Sequence, residues 1–151
     1  MNWAFDITLK NRQIMASFLD RFSLEELNKV PDGFRNNIFW NIAHLVVTQQ
    51  LLTYNLSGLP MLIDDELVNK YRKGSKTEND VIEEEVNLIK GLLFSTLEKT
   101  FEDYQKGLFK EYQTYTVTTN STLTNIEQAI EFNNFHEGIH LGYVLAMIKS
   151  L

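Results

Sequence analysis

The chain has 151 residues, of which 44% are hydrophobic and 23% charged, and this length and composition predict one soluble globular domain over residues 1–151. Its formal charge of −6 and its lack of Lys or Arg runs argue against a nucleic-acid partner or an anionic membrane surface, because both require a basic face. The chain has no cysteine for a disulfide or a thiolate ligand, so any sulfur chemistry requires a thiol from outside.

The first segment predicts an amphipathic helix. From about Trp3 to Phe22, apolar residues recur mostly at helical intervals. Ser23 and Glu26 then have the capping-box pattern, which predicts a short helical turn before the break at Pro31. The N-terminus shows no secretory pattern, and no apolar stretch reaches the ~20 residues that a membrane span needs, so we expect a cytoplasmic protein without a membrane partner.

The second long helix carries the first of the three histidines. It is predicted from about Asn36 to Ser57, with His44 inside its apolar stripe. Trp40 falls within about 60° of His44 on the helical wheel and is a candidate pocket residue, although core packing explains it equally well. Two polar residues flank the histidine and are candidate neighbours of a site: Asn41 and Thr48.

The middle of the chain predicts a short helix, a long helix and a loop. The short helix lies around Asp64 to Tyr71, and the third long helix runs from about Asp80 to Tyr104 with the apolar seam of a bundle helix. The segment from Gln105 to Leu123 alternates tyrosine, threonine and valine, which favours extended backbone. We interpret it as a long crossing loop, with room for a short strand, that walls one side of a pocket.

The final helix is predicted from about Asn125 to Lys149, opened by a capping box of Thr124 and Glu127. It carries His136 and His140, four residues apart and therefore on one helical face. Another side of this helix holds glycines beside leucines, a pattern that favours close packing against another helix or against a second copy of the chain.

The histidines together predict a metal site. Long helices that each have one apolar stripe predict an all-α four-helix bundle, in which facing helices commonly build metal sites. His44 with His136 and His140 would supply three imidazole nitrogens and leave an open position for water or substrate, as in catalytic sites. The alternative is that these histidines are ordinary core or surface residues, and the sequence does not prove that His44 faces the other two.

Further candidates lie on the final helix near the histidine pair. Glu137, at the edge of the histidine face, is a candidate to orient a ligand or act as a base, but a solvated carboxylate is the favoured interpretation. Asn133 is a candidate to support a ligand through a hydrogen bond. Tyr143 is a candidate to line a pocket, with plain core packing as the alternative.

Two stretches of the chain resemble the DinB-like superfamily, which also includes YfiT-like metal-dependent hydrolases and thiol-dependent S-transferases and isomerases. They are the N-I-x-H-L pattern of residues 41–45 and the H-x-x-x-H pattern of residues 136–140, and the resemblance extends over nearly the whole chain. It implies an up-down-down-up four-helix bundle with short extra helices, a long loop between helices three and four, and a homodimer. It also implies that His44, His136 and His140 hold a divalent ion, nickel or zinc before iron or manganese.

The resemblance leads to one functional hypothesis and two alternatives. In members of known chemistry the metal activates a low-molecular-weight thiol such as bacillithiol or mycothiol, so we expect transfer of a thiol onto a small-molecule electrophile. The first alternative is a metal-dependent hydrolase, in which the ion activates water. The second is a non-catalytic dimeric bundle that serves as a stress-response or binding module.

Overall fold

The computed structural model of the protein describes residues 2–151 as a helical bundle with one small hairpin. The elements are α1 (Asn2–Arg21), α2 (Leu24–Asn28), α3 (Ile38–Gln50), a π-helical turn (Leu51–Asn55), α4 (Asp65–Tyr71), α5 (Glu83–Gln105), β1 (Tyr115–Thr116), β2 (Thr122–Leu123) and α6 (Ile126–Ile148). The predicted all-α fold is confirmed. Within residues 2–151, no helix has the length and apolarity to cross a membrane.

The four long helices form a bundle in which α1 and α3 lie diagonally opposite each other. Helix α6 packs between α1 and α3 on one side, and α5 packs between them on the other. Contacts between α1 and α6 advance in the same direction along both helices. Helices α3 and α6 run in opposite directions, as the hydrogen bond from His140 to Asn41 and the approach of His136 to His44 illustrate. Helix α5 runs opposite to α1, since Arg12 contacts Leu93 whereas the later Asp20 contacts the earlier Lys90. The helices therefore run up, down, down and up in chain order.

Local chemistry fixes the helix starts. Ser23 and Glu26 form the predicted capping box at α2. The capping box predicted for α6 at Thr124 and Glu127 is wrong, because Asn125 caps this helix by accepting a hydrogen bond from the backbone of Gln128. An asparagine side chain satisfies this backbone N–H as well as a threonine does, so the helix starts one residue later than the predicted box implies.

Helix α3 is the central element of the core. Nearly all of its residues are buried, including every apolar one. It is followed directly by the π-helical turn over Leu51–Asn55. A left-handed Gly58, with φ of 69°, follows shortly after this turn. Such turns often occur beside functional sites, and this one continues the wall of a cavity next to His44.

The segment between α5 and α6 forms the predicted crossing loop. It contains the antiparallel pair of β1 and β2, in which Tyr115 pairs with Leu123 and Thr116 with Thr122. Val117 and Leu123 pack into a small apolar cluster with residues of α1, α5 and α6, and this packing anchors the hairpin to the bundle. The hairpin is thereby held beside the face where α3 and α6 meet.

Candidate metal centre

The three histidines converge on one point between α3 and α6. One ring nitrogen from each histidine lies within 4.8 Å of a ring nitrogen of each of the other two. The ring centroids of His44 and His136 are 5.1 Å apart, those of His44 and His140 are 4.8 Å apart, and those of His136 and His140 are 4.6 Å apart. The helical spacing brings the last two together, and the antiparallel packing of α3 against α6 brings His44 to them.

His44 is held in place by hydrogen bonds and by stacking. Its Nδ1 lies 2.6 Å from the carbonyl oxygen of Tyr71 and must donate, because a carbonyl only accepts. That carbonyl is free because Tyr71 is the last residue of α4, where helical carbonyls have no partner within the helix. Trp40 stacks on the imidazole at a centroid distance of 4.6 Å and an interplanar angle of 15°. The neutral ring therefore presents Nε2 as an acceptor, 3.2 Å from the Thr48 hydroxyl.

Asn41 orients His140 in the same way. Its amide nitrogen donates to the carbonyl oxygen of Asn37 at 2.8 Å, which leaves its Oδ1 to accept from His140 Nδ1 at 2.9 Å. The Nε2 of His140 is therefore also the unprotonated nitrogen. Outer hydrogen bonds of this kind fix the tautomer of metal-binding histidines.

His136 has a buried nitrogen with no partner. Its Nδ1 is buried and makes no hydrogen bond to any of the described residues, unlike the Nδ1 atoms of His44 and His140. An unpaired buried polar atom is costly unless something outside the chain satisfies it. Three neutral imidazoles in contact, one with an orphaned nitrogen, are a donor set that fits a divalent ion.

Burial keeps all three rings neutral, as ligation requires. It lowers the pKa of His44 below its usual value, against the smaller raising effect of the Tyr71 carbonyl. Burial also lowers the pKa of His140 to about 4, with a further contribution from the neighbouring His44. The pKa of His136 is lowered by burial first and then by the other two histidines.

A cavity of about 630 Å³ opens beside the histidines. Its walls come from α3 and the π-helical turn, from α6, from the β1–β2 hairpin and from the segment after α4. Most of the lining surface is apolar, and its contributors include Leu51, Leu52, Phe132, Phe135 and Ile139. The crossing loop lines the cavity with Tyr115, Val117, Thr118 and Thr119, in agreement with the prediction that it walls a pocket. This volume and lining suit a small organic molecule.

The prediction that Glu137 is a solvated carboxylate is wrong. Its side chain is 0% exposed and pairs with Arg12 of α1, which is also 0% exposed. Oε1 accepts from Arg12 Nε at 3.1 Å, from Arg12 Nη2 at 2.9 Å and from Asn133 Nδ2 at 2.9 Å, and Oε2 accepts from Asn11 Nδ2 at 3.0 Å. Both oxygens are thus engaged on the α1 side of α6, and Glu137 does not line the cavity.

The remaining candidates divide between the cavity and other parts of the bundle. Trp40 and Thr48 line the cavity, and Asn41 lies behind His140. Asn133 instead bonds to Glu137, one helical turn away on the α1 side. Tyr143 is 47% exposed and packs edge-on against Phe34, outside the cavity lining.

Two interactions of the bundle, one at His44 and one behind the histidine pair, carried no sequence signal. The Tyr71 carbonyl is a backbone group, so its residue type gives no indication of its role. Arg12 lies 125 positions from Glu137, and helical periodicity does not reveal pairs so distant in sequence.

This geometry defines a class, a four-helix bundle with a three-histidine cluster at the wall of an apolar cavity. Comparison with known families gives the affiliation: the model of the DinB superfamily matches residues 8–144. That match covers most of the chain, which therefore belongs to the DinB superfamily. None of the curated proteins compared with the chain is similar to it.

Proposed function

We propose that this chain is a metal-dependent enzyme that transfers an external thiol onto a small electrophile. The observation that carries the proposal is the convergence of His44, His136 and His140, with nitrogens within 4.8 Å of one another. Imidazole ligands suit nickel and zinc, the ions we favour over iron and manganese. A divalent ion bound by three protein ligands supplies an open position at which the pKa of a thiol or water falls.

The residues around the histidines would prepare them for this role. Tyr71 and Asn41 keep Nδ1 of His44 and of His140 protonated, so Nε2 of each ring is unprotonated and has the lone pair that a metal ligand needs. Trp40 prevents the His44 ring from turning. The apolar lining, which includes Leu51, Leu52 and Phe132, offers a surface for the organic part of a substrate beside the histidines.

The composition of the cavity favours a thiol over water as the nucleophile. No Asp or Glu of residues 2–151 lines it, and the nearest carboxylate along α6, that of Glu137, is held by Arg12. Hydrolysis usually needs a general base to take a proton from the attacking water. A thiol has a pKa near ~8.5 and reaches its nucleophilic form without such a base once a cation lowers that pKa.

The proposed reaction is a substitution. The thiol sulfur forms a bond to the electrophilic carbon of the second substrate, and the bond from that carbon to its leaving group breaks. The leaving group departs with the electron pair of that bond, and the thiol proton ends on the leaving group or in solvent. No oxidant or reductant takes part.

The test uses untagged protein loaded with nickel or zinc and 1-chloro-2,4-dinitrobenzene as a model electrophile, with and without bacillithiol or mycothiol. We expect turnover that requires both metal and thiol, is lost in His140→Ala and is kept in Glu131→Gln, a change at an exposed position of the same helix. Turnover that ignores added thiol would instead indicate hydrolysis. Stoichiometric metal without turnover of any kind would favour the binding-module alternative.

A further inference from the structure

The mouth of the histidine cavity carries a local charge opposite to that of the whole chain. The chain has 20 acidic residues and a net charge of −6, yet the charged residues that line the cavity are Arg35 and Lys73, with no carboxylate from residues 2–151 among them. The cavity is therefore an electropositive opening on an acidic protein.

Both cations are held at the mouth by neutral partners. Arg35, in the loop before α3, donates from Nη2 to the carbonyl oxygen of Gly74 at 3.3 Å. Lys73, in the segment after α4, donates from Nζ to the Thr118 hydroxyl of the hairpin at 2.8 Å. Neither forms an ion pair with any residue in the described part of the chain. Each therefore keeps a positive charge that no carboxylate neutralises. The two side chains are also close along the backbone, because Arg35 bonds to Gly74 and Gly74 directly follows Lys73.

The rest of the lining is of a different kind. Beyond the cationic mouth, the wall toward the histidines is formed by leucines of the π-helical turn and by Phe132, Phe135 and Ile139 of α6. A ligand that satisfies both regions has an apolar body and an anionic group at one end. Arginine pairs with carboxylate or phosphate through two parallel hydrogen bonds, and a positive cleft raises the local concentration of anions.

We propose that Arg35 and Lys73 select a substrate that carries a carboxylate or phosphate on an apolar body, and that they hold this group at the cavity mouth while the body extends toward the histidines. This inference rests on the proposed function for the identity of the reacting centre, but the recognition of the anion does not depend on a metal. The two claims are therefore tested separately.

The test compares the affinity of three probes for the purified protein by calorimetry. The probes are 4-phenylbutyrate, its uncharged amide, and phenyl phosphate, and each is measured with and without EDTA treatment, because a carboxylate could also bind a metal at the histidines. We expect the metal-free protein to bind 4-phenylbutyrate about tenfold more tightly than the amide, as suits an exposed charge-assisted contact. The preference falls as salt is added, and the tighter of the two anions identifies the group that the mouth prefers.

Variants assign the preference to the two cations. Arg35→Gln and Lys73→Gln are measured singly and together. The double variant should bind the carboxylate and the amide equally, with the affinity for the amide unchanged. The matched control is Lys76→Gln, which removes one positive charge from the same segment at an exposed position outside the cavity lining. Equal affinity of the metal-free wild-type protein for carboxylate and amide, or a loss in Lys76→Gln as large as in Lys73→Gln, would overturn the inference. Failure of the metal or thiol assay with this preference intact would overturn only the proposed function.

Discussion

The buried pair of Arg12 and Glu137 gives the most demanding prediction about stability. Both side chains are 0% exposed, and the two Glu137 oxygens accept four hydrogen bonds, two of them from Arg12. Glu137→Gln keeps the shape of the side chain but removes its charge and puts an NH₂ group where one oxygen accepted. The Arg12 charge then remains buried without its counter-charge and has only neutral acceptors: the amide oxygen of the new glutamine, the carbonyl of Leu93 and the hydroxyl of Thr96.

Removing one member of a buried ion pair costs about 3–5 kcal/mol of unfolding free energy, most of it from the stranded charge. For a chain of this length, each 1 kcal/mol corresponds to roughly 2–4 °C in Tm, so we expect Glu137→Gln to lower Tm by about 10 °C. Urea unfolding followed by circular dichroism measures the free energy directly. Glu131→Gln, at an exposed position on the same helix, should stay within about 0.5 kcal/mol of wild type.

A double variant separates the charge from the packing. Arg12→Met with Glu137→Leu removes both charges and keeps apolar volume, so it should recover much of the stability lost in the single variant. The reasoning is refuted if Glu137→Gln unfolds within 1 kcal/mol of wild type while retaining its fold. Loss of activity without loss of stability in Glu137→Gln would return this residue to the reaction as a base.

Two further predictions concern the histidine cluster. Asn41→Ala removes the acceptor of His140 Nδ1 and should weaken metal affinity about 10–100-fold in a chelator competition, whereas an unchanged affinity would mean that Asn41 does not orient the ligand. In EDTA-treated protein, unfolding free energy should fall as pH drops from about 6.5 to 5, because the unfolded chain takes up protons on His136 and His140 while burial has lowered the folded pKa of each. The slope should be about 1 kcal/mol per pH unit for each histidine and smaller in His140→Gln, and a flat profile would contradict burial of neutral rings.

Much of the fold was predictable because α1 and α5 have apolar residues at helical intervals and because capping residues mark several of the helix ends. The short helix that ends at Tyr71 and the crossing loop were also predicted, since both lie where the apolar periodicity of one long helix stops and that of the next has not begun. The second long helix differs in detail: it changes to a π-helical turn at Leu51–Asn55, a backbone variation that periodicity does not show. The capping residue of α6 differs because Thr124 and Asn125 are both good caps, and the sequence alone does not decide between them.

The site was predictable to the extent that it depends on spacing. His136 and His140 had to share a face because of their spacing. Their meeting with His44 also required that α3 and α6 pack as antiparallel neighbours with these residues at the same level, which spacing along one helix does not predict. Glu137 was misjudged because a carboxylate is rarely buried without a partner, and its partner Arg12 lies on another helix. Tyr143 shares the histidine face on a helical wheel, but at its level α6 meets Phe34 rather than the cavity, so angle alone was insufficient.

Metal binding by the three histidines is the property on which the proposed function depends most directly. Elemental analysis of protein purified without a histidine tag should find about one divalent ion per chain, retained in Glu131→Gln and lost in both His44→Ala and His140→Ala, with the helical circular-dichroism spectrum unchanged in all of them. Wild-type protein that takes up no divalent ion even when zinc or nickel is supplied, or a His140→Ala variant that keeps its full metal content, would contradict the proposed metal centre.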